Sequence, residues 1–133
     1  MVREPSELYR LAVKSLANSD RWFGDLPETR NLAQFTLGLT GEAGEVANLV
    51  AKISRKSLDY GDASTRFALG MELADVLIYL LNICALLGID PMEIYNQKNI
   101  ENERKFNNER DQRILARREA VEIVDGIRVS GRR

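Results

Sequence analysis

The sequence has 133 residues, a net charge of −1, a hydrophobic fraction of 44% and no histidine. This length predicts one domain with a sizeable core, and the balanced charge argues against nucleic acid or an anionic membrane as a partner. The missing histidine excludes Ser-His and Cys-His nucleophiles, most zinc sites and a His-containing di-iron bundle. The kind of site that remains possible is one that uses oxygen ligands.

Features of the chain that bear on its location predict a cytoplasmic protein. The polar N-terminus does not resemble a signal peptide. The single cysteine, Cys84, cannot form an internal disulfide, which fits a reducing compartment. The longest apolar run, residues 76–89, is shorter than the ~20 residues that span a bilayer, so it predicts a buried helix and no membrane contact.

The first helix is predicted to begin at residues 5–7, where proline and an early acid favour a helix start. It is predicted to end near residues 18–20, with a loop over residues 21–27. Trp22 is the only tryptophan and falls in this loop. Either it plugs the end of a helical bundle together with Phe23, or it offers a surface on which a nucleobase stacks.

The second helix is predicted over residues 28–56 and contains three glycines spaced by three, Gly38, Gly41 and Gly44. Each glycine inside a helix costs roughly 1 kcal/mol relative to alanine, so three on adjacent turns need a reason. Close helix packing is one reason. Room for a ligand to approach the backbone beside the neighbouring acids is a second, compatible one.

The third helix is predicted from a cap at Ser64 or Thr65 to Leu87, with Gly88 as its stop. It is apolar nearly all round after residue 76. Because a chain of this size cannot surround such a helix, we expect a homodimer or a tetramer. A fourth helix is predicted from residue 90 to about 107, which completes an all-α bundle of four main helices.

The arginine-rich stretch 108–133 is predicted to be an extension outside the domain formed by residues 1–107. Its first part is predicted to continue a helix through Arg118. Asp125 and Gly126 lie between alternating apolar residues, which favours a small hairpin over residues 121–129. An isolated hairpin is marginally stable, so the alternative is a disordered tail.

Two acidic pairs lie within apolar sequence: Glu42 with Glu45, and Glu72 with Asp75. Residues three apart on a helix share a face, so each pair is expected to point inward. Burying carboxylates is costly unless a cation meets them. The pairs therefore predict a site for Mg²⁺, with Mn²⁺ as a substitute, rather than an ordinary charged helix face.

Three motifs at these positions resemble the MazG-like, all-α nucleoside triphosphate pyrophosphohydrolases, including their dCTP pyrophosphatase-like members. They are residues 41–46 (GEAGEV), 72–80 (ELADVLIYL) and 98–106 (KNIENERKF). The resemblance covers roughly residues 30–106. The histidine that the family carries shortly before its second helix is absent here, so the resemblance implies nothing about base preference.

The resemblance implies roles for particular residues. The catalytic, Mg²⁺-holding acids would be Glu42, Glu45, Glu72 and Asp75. The residues meeting the triphosphate or sugar would be Lys98, Asn102 and Arg104. Those near the sugar or base would be Tyr79 and Trp22.

The function predicted from these features is Mg²⁺-dependent hydrolysis of NTPs or dNTPs to a monophosphate and pyrophosphate, as nucleotide-pool house-cleaning. This chemistry requires charge neutralisation and positioning more than a nucleophilic side chain. One alternative is a non-enzymatic helical module that binds a cation or a basic partner. Another is a pyrophosphohydrolase acting on a non-nucleotide or phosphoribosyl substrate.

Overall fold

The computed structural model describes residues 4–24 and 27–130, with side chains described over 4–24, 27 and 30–119. Residues 1–3, 25–26 and 131–133 lie outside this part. The described chain forms four helices, α1 (Glu7–Phe23), α2 (Glu28–Ser54), α3 (Ala63–Leu86) and α4 (Pro91–Ser130). No strand occurs in the described ranges, which confirms the predicted all-α bundle.

The chain divides into two compact units, residues 1–94 and 95–133. In the first unit α3 is the central helix, because both α1 and α2 pack against it. The first residues of α4 belong to this unit, and the remainder of α4 forms the second. The predicted boundary between residues 107 and 108 stays a prediction.

Helix α1 is longer than the sequence predicts, since it continues through Phe23 rather than ending near residue 20. Gly24, at φ +81°, ends it in a conformation that favours glycine. The predicted end at residues 18–20 lies inside the helix, where Ser19 is buried. The donor that meets Ser19 is Asn82 of α3, whose Nδ2 lies 2.7 Å from the hydroxyl oxygen.

Helix α3 begins two or three residues earlier than predicted. Its N-cap is Asp62, in an extended conformation, rather than Ser64 or Thr65. The side chain of Asp62 makes no capping hydrogen bond; its carbonyl accepts the N–H of Arg66 at 3.1 Å, which places the first helical hydrogen bond before Ser64. At the other end Gly88, at φ +65°, follows the helix and confirms the predicted stop.

The starts of α1 and α4 are joined through Ser6 and Asp90. The Ser6 hydroxyl donates to Asp90 Oδ1 at 2.6 Å, and the Ser6 N–H donates to Oδ2 at 3.0 Å. Each side chain also caps its own helix: Ser6 Oγ accepts from the N–H of Tyr9, and Asp90 Oδ1 accepts from the N–H of Met92. The predicted start of the fourth helix at residue 90 is therefore confirmed, with Asp90 as its cap.

Helix α4 overturns the prediction for the C-terminal stretch. It runs unbroken to Ser130, so residues 121–129 are helical and form no hairpin, and the predicted end near residue 107 is also wrong. A two-stranded hairpin is marginal by itself, whereas extending an existing helix adds one hydrogen bond per residue. The cost of Gly126 inside the helix, about 1 kcal/mol, does not reverse that balance.

Helix α3 carries an exposed row of leucines. Leu73, Leu77 and Leu80 are spaced by four and three residues, as on one helix face, and are 50%, 43% and 43% exposed. By length and composition α3 is also the one helix in the described ranges that could cross a membrane. That test alone is weak, because the core helix of a soluble bundle passes it too.

Candidate metal centre

Three of the four predicted metal-binding acids converge. Glu42 of α2 and Glu72 and Asp75 of α3 each place a carboxylate oxygen within 4.8 Å of the others. All three side chains are partly buried. The spacing explains the convergence: Glu72 and Asp75 lie one turn apart on α3, on the side that faces Glu42.

The donor set fits a small, hard divalent cation. Mg²⁺ binds oxygen ligands at about 2.0–2.1 Å, so ligands on opposite sides of the ion lie about 4 Å apart. Three carboxylate oxygens within 4.8 Å of one another are close to that separation. Among the described residues, none of these carboxylates accepts a hydrogen bond or pairs with a cation. Three clustered negative charges without a partner favour a bound cation.

Glu45 stands apart from this group. It lies one turn after Glu42 on α2, but its side chain is exposed and is not among the three that converge. Its predicted part in the metal site therefore stays a prediction.

Tyr79 lies one turn after Asp75 on α3 and packs tightly against α2. A Cβ atom added to Gly38 would lie 2.5 Å from Cζ and 2.8 Å from Cδ1 of Tyr79, closer than real Cβ contacts. The Phe35 ring lies one turn earlier on α2, with its centroid 6.4 Å from that of Tyr79 and the planes at 56°. The tyrosine ring thus occupies the space that a side chain at position 38 would need.

The three glycines of α2 do not share one role. Only Gly38 is closely packed, whereas a Cβ at Gly41 or Gly44 would meet nothing within 4 Å of the described chain. Close helix packing therefore explains Gly38 alone. Open space beside Glu42 agrees with the second explanation for the other two, room for a ligand.

The predicted substrate-binding residues of α4 belong to the second unit. Lys98 is exposed and forms an ion pair with Glu101, its Nζ 3.0 Å from Oε2. Asn102 lies one turn further along the same face and is partly buried, and Arg104 is exposed. Their predicted contact with a triphosphate remains a prediction.

Trp22 lies in the last turn of α1 and is 66% exposed, and Phe23 is also exposed. Neither ring plugs the interior of the described bundle. An exposed indole is available for stacking, so the structure leaves the second of the two interpretations open.

The family follows from a direct sequence match. The MazG nucleotide pyrophosphohydrolase domain matches residues 30–105, more than half of the 133 residues. The chain belongs to the MazG nucleotide pyrophosphohydrolase family. The matched range contains all four predicted acids and the predicted residues of α4, which confirms the resemblance.

Comparisons with a relative and with solved structures give less information on the family than the domain match does. The chain is 38% identical over 66 residues to the gene 37 protein of Mycobacterium phage L5. The match covers 50% of this chain and 58% of the phage protein, so the chain spans little more than half of that relative's length. No solved structure matches the chain.

Sequence reasoning missed three contacts within the first unit: Gly38 with Tyr79, Ser19 with Asn82, and Ser6 with Asp90. Asn82 was visible as a polar residue inside an apolar run, but its partner lies 63 positions away on α1. The glycine spacing was also visible, but only the packing of α3 distinguishes Gly38 from the other two.

Proposed function

We propose that this MazG domain hydrolyses nucleoside or deoxynucleoside triphosphates to a monophosphate and pyrophosphate in a Mg²⁺-dependent reaction. The observation that carries the proposal is the convergence of Glu42, Glu72 and Asp75 from two helices. Mn²⁺ is expected to substitute for Mg²⁺ because it also prefers oxygen ligands. We assign the activity to the clearance of surplus or non-canonical nucleotides in the cytoplasm.

The acids hold the ion and position the reaction. Glu42, Glu72 and Asp75 provide three carboxylate ligands, and Glu45 provides a fourth from the next turn of α2. When bound, the ion neutralises charge on the phosphates and lowers the pKa of the attacking water. One carboxylate of the cluster accepts the proton of that water.

Residues outside the cluster recognise the substrate. Lys98 contributes a positive charge to the polyphosphate, after exchanging its ion pair with Glu101 for a phosphate oxygen. Asn102 and Arg104 supply further hydrogen-bond donors to the phosphates or the sugar. Tyr79 lies one turn after Asp75 and contacts the sugar, and Trp22 stacks on the base.

The working form is a homodimer or a tetramer of this soluble chain. The exposed row of Leu73, Leu77 and Leu80 repeats at the four- and three-residue spacing by which helices pack against one another. Covering it with the same face of a second copy removes apolar surface from water on both chains. Such pairing accounts for a membrane-length apolar helix without a membrane.

A substrate panel tests the activity. Purified protein is incubated with each common and modified NTP and dNTP, with Mg²⁺ or with EDTA, and the products are separated. Monophosphate plus pyrophosphate, lost with EDTA, is the expected result and identifies the preferred base and sugar. Release of single phosphates, or turnover in EDTA, would contradict the proposed reaction. No turnover of any nucleotide would favour a binding module or a non-nucleotide substrate.

A further inference from the structure

The contact between Gly38 and Tyr79 lies one turn from the metal centre on both helices. Gly38 is four residues before Glu42 on α2, and Tyr79 is four residues after Asp75 on α3. Because Gly38 meets Tyr79 while Glu42 meets Asp75, the two helices run antiparallel here. Four residues of helix rise about 6 Å, so the contact and the acids are close neighbours.

The contact controls how closely α2 and α3 approach. The ring of Tyr79 lies in the space of a missing side chain, with Cζ only 2.5 Å from where a Cβ would be. An ordinary carbon contact needs about 3.5–4.0 Å, so any side chain at position 38 must move the ring or the helix by about 1 Å. The Phe35 ring, one turn before Gly38 on α2, lies beside the Tyr79 ring on that side.

A displacement of that size matters at the metal centre. Glu42 stands on one helix, and Glu72 and Asp75 stand on the other, so the distance between the helices sets the ligand distances. Mg²⁺ tolerates little departure from 2.0–2.1 Å and octahedral geometry. We propose that Gly38 is a positioning residue for this centre: its missing side chain seats the Tyr79 ring and so holds Glu42 within reach of Glu72 and Asp75.

This inference rests on the proposed metal site but not on the identity of the substrate. Its test is therefore the affinity for Mn²⁺ in the absence of nucleotide. Electron paramagnetic resonance measures this affinity through the signal of the free ion. The Gly38→Ala variant is expected to bind Mn²⁺ about 10–100-fold more weakly than wild type, the effect typical of residues that orient ligands. Gly70→Ala is the matched control, since Gly70 is also a glycine inside a helix but an added Cβ there meets nothing within 4 Å of the described chain, and should stay within about twofold.

Variants of Tyr79 separate positioning from general damage to the fold. Tyr79→Phe keeps the ring and should keep the Mn²⁺ affinity, because packing and not the hydroxyl positions the helices. In a Tyr79→Ala background the clash is gone, so adding Gly38→Ala should change Mn²⁺ affinity no further. This comparison remains informative if Gly38→Ala alone does not fold, since the double variant carries no clash.

Several results would overturn the proposal. Wild-type affinity in Gly38→Ala would do so, as would equal losses in Gly38→Ala and Gly70→Ala. An undiminished loss from Gly38→Ala in the Tyr79→Ala background would show that the ring is not responsible. None of these three results contradicts the proposed metal site, provided that wild type binds Mn²⁺. Absence of Mn²⁺ binding by wild type would overturn both the metal site and the role of Gly38.

Discussion

Asn82 and Ser19 form a buried hydrogen bond where α1 packs on the apolar helix α3. Asn82 is 1% exposed, and its Nδ2 donates to the Ser19 hydroxyl at 2.7 Å. Its Oδ1 has no hydrogen-bond partner among the described atoms. Because the Asn82 amide is buried and only partly hydrogen-bonded, its net contribution to stability is small. Its larger effect is to favour one arrangement of α1 against α3.

Replacing Asn82 by alanine should lower the free energy of unfolding by about 1–3 kcal/mol, because Ser19 then loses its buried partner. Urea denaturation monitored by circular dichroism measures the change. In a double-mutant cycle with Ser19→Ala, the two losses should not add, since they remove one shared bond. Fully additive losses would mean that this hydrogen bond contributes nothing to stability.

The acids show how far single residues could be predicted from sequence. The three-residue spacing placed Glu72 and Asp75 on one face of α3, and the structure brings Glu42 to them. The spacing offered no reason to separate Glu45 from Glu42, because both acids fit the same pattern. The difference arises from how α2 faces α3, which depends on contacts such as that of Gly38 with Tyr79.

At the scale of the helices, the contact between Ser6 and Asp90, which joins the starts of α1 and α4, depends on pH. The hydrogen bond from the Ser6 hydroxyl is the largest cause that lowers the pKa of Asp90 below its ordinary value of 3.8, followed by the N–H of Ser6. A carboxyl with a lowered pKa stabilises the fold above its unfolded pKa. That stability is lost as the pH falls through the folded pKa.

Acidification below about pH 4 should therefore destabilise wild type more than Asp90→Asn, whose amide does not titrate. Thermal unfolding at pH 5, 4 and 3 compares the two proteins. Asp62→Asn is the matched control, because Asp62 is also a helix N-cap but makes no side-chain capping bond. If wild type and Asp90→Asn lose the same thermal stability as the pH falls, ionisation of Asp90 does not stabilise the fold.

Helix starts were predicted better than helix ends. Proline and capping residues mark the starts of α1 and α4 within the local sequence. The ends of α1 and α4 depend on other factors. Ser19 continues α1 because it meets α3, and residues 108–130 continue α4 because an existing helix propagates. Neither cause is visible within a short window of sequence.

On the scale of the whole molecule, the row of Leu73, Leu77 and Leu80 is an apolar helix face that the described first unit leaves exposed. Helix α3 carries this row on one side and the clustered acids Glu72 and Asp75 on another. Sequence alone predicted that α3 needs a partner, because no single chain of this size can enclose it. The structure agrees that α1 and α2 leave the row uncovered.

Leu77→Arg should convert the assembly to a monomer, because it places a charge in the centre of the proposed interface. Sedimentation velocity at micromolar concentration measures the change. Wild type is expected to sediment as a dimer or tetramer, and Lys14→Glu, an exposed charge change on α1, should leave this unaltered. A monomeric wild type would contradict the proposed pairing.

The central claim is that Glu42, Glu72 and Asp75 hold the ion that drives pyrophosphate release. The most direct test is the rate of pyrophosphate release by wild type, Asp75→Asn and the exposed control Glu7→Gln, using the best substrate of the panel with Mg²⁺. Asp75→Asn should remain folded by circular dichroism and lose activity about 100-fold or more, and Glu7→Gln should keep it. Full activity in a folded Asp75→Asn variant would contradict the assignment of the metal centre.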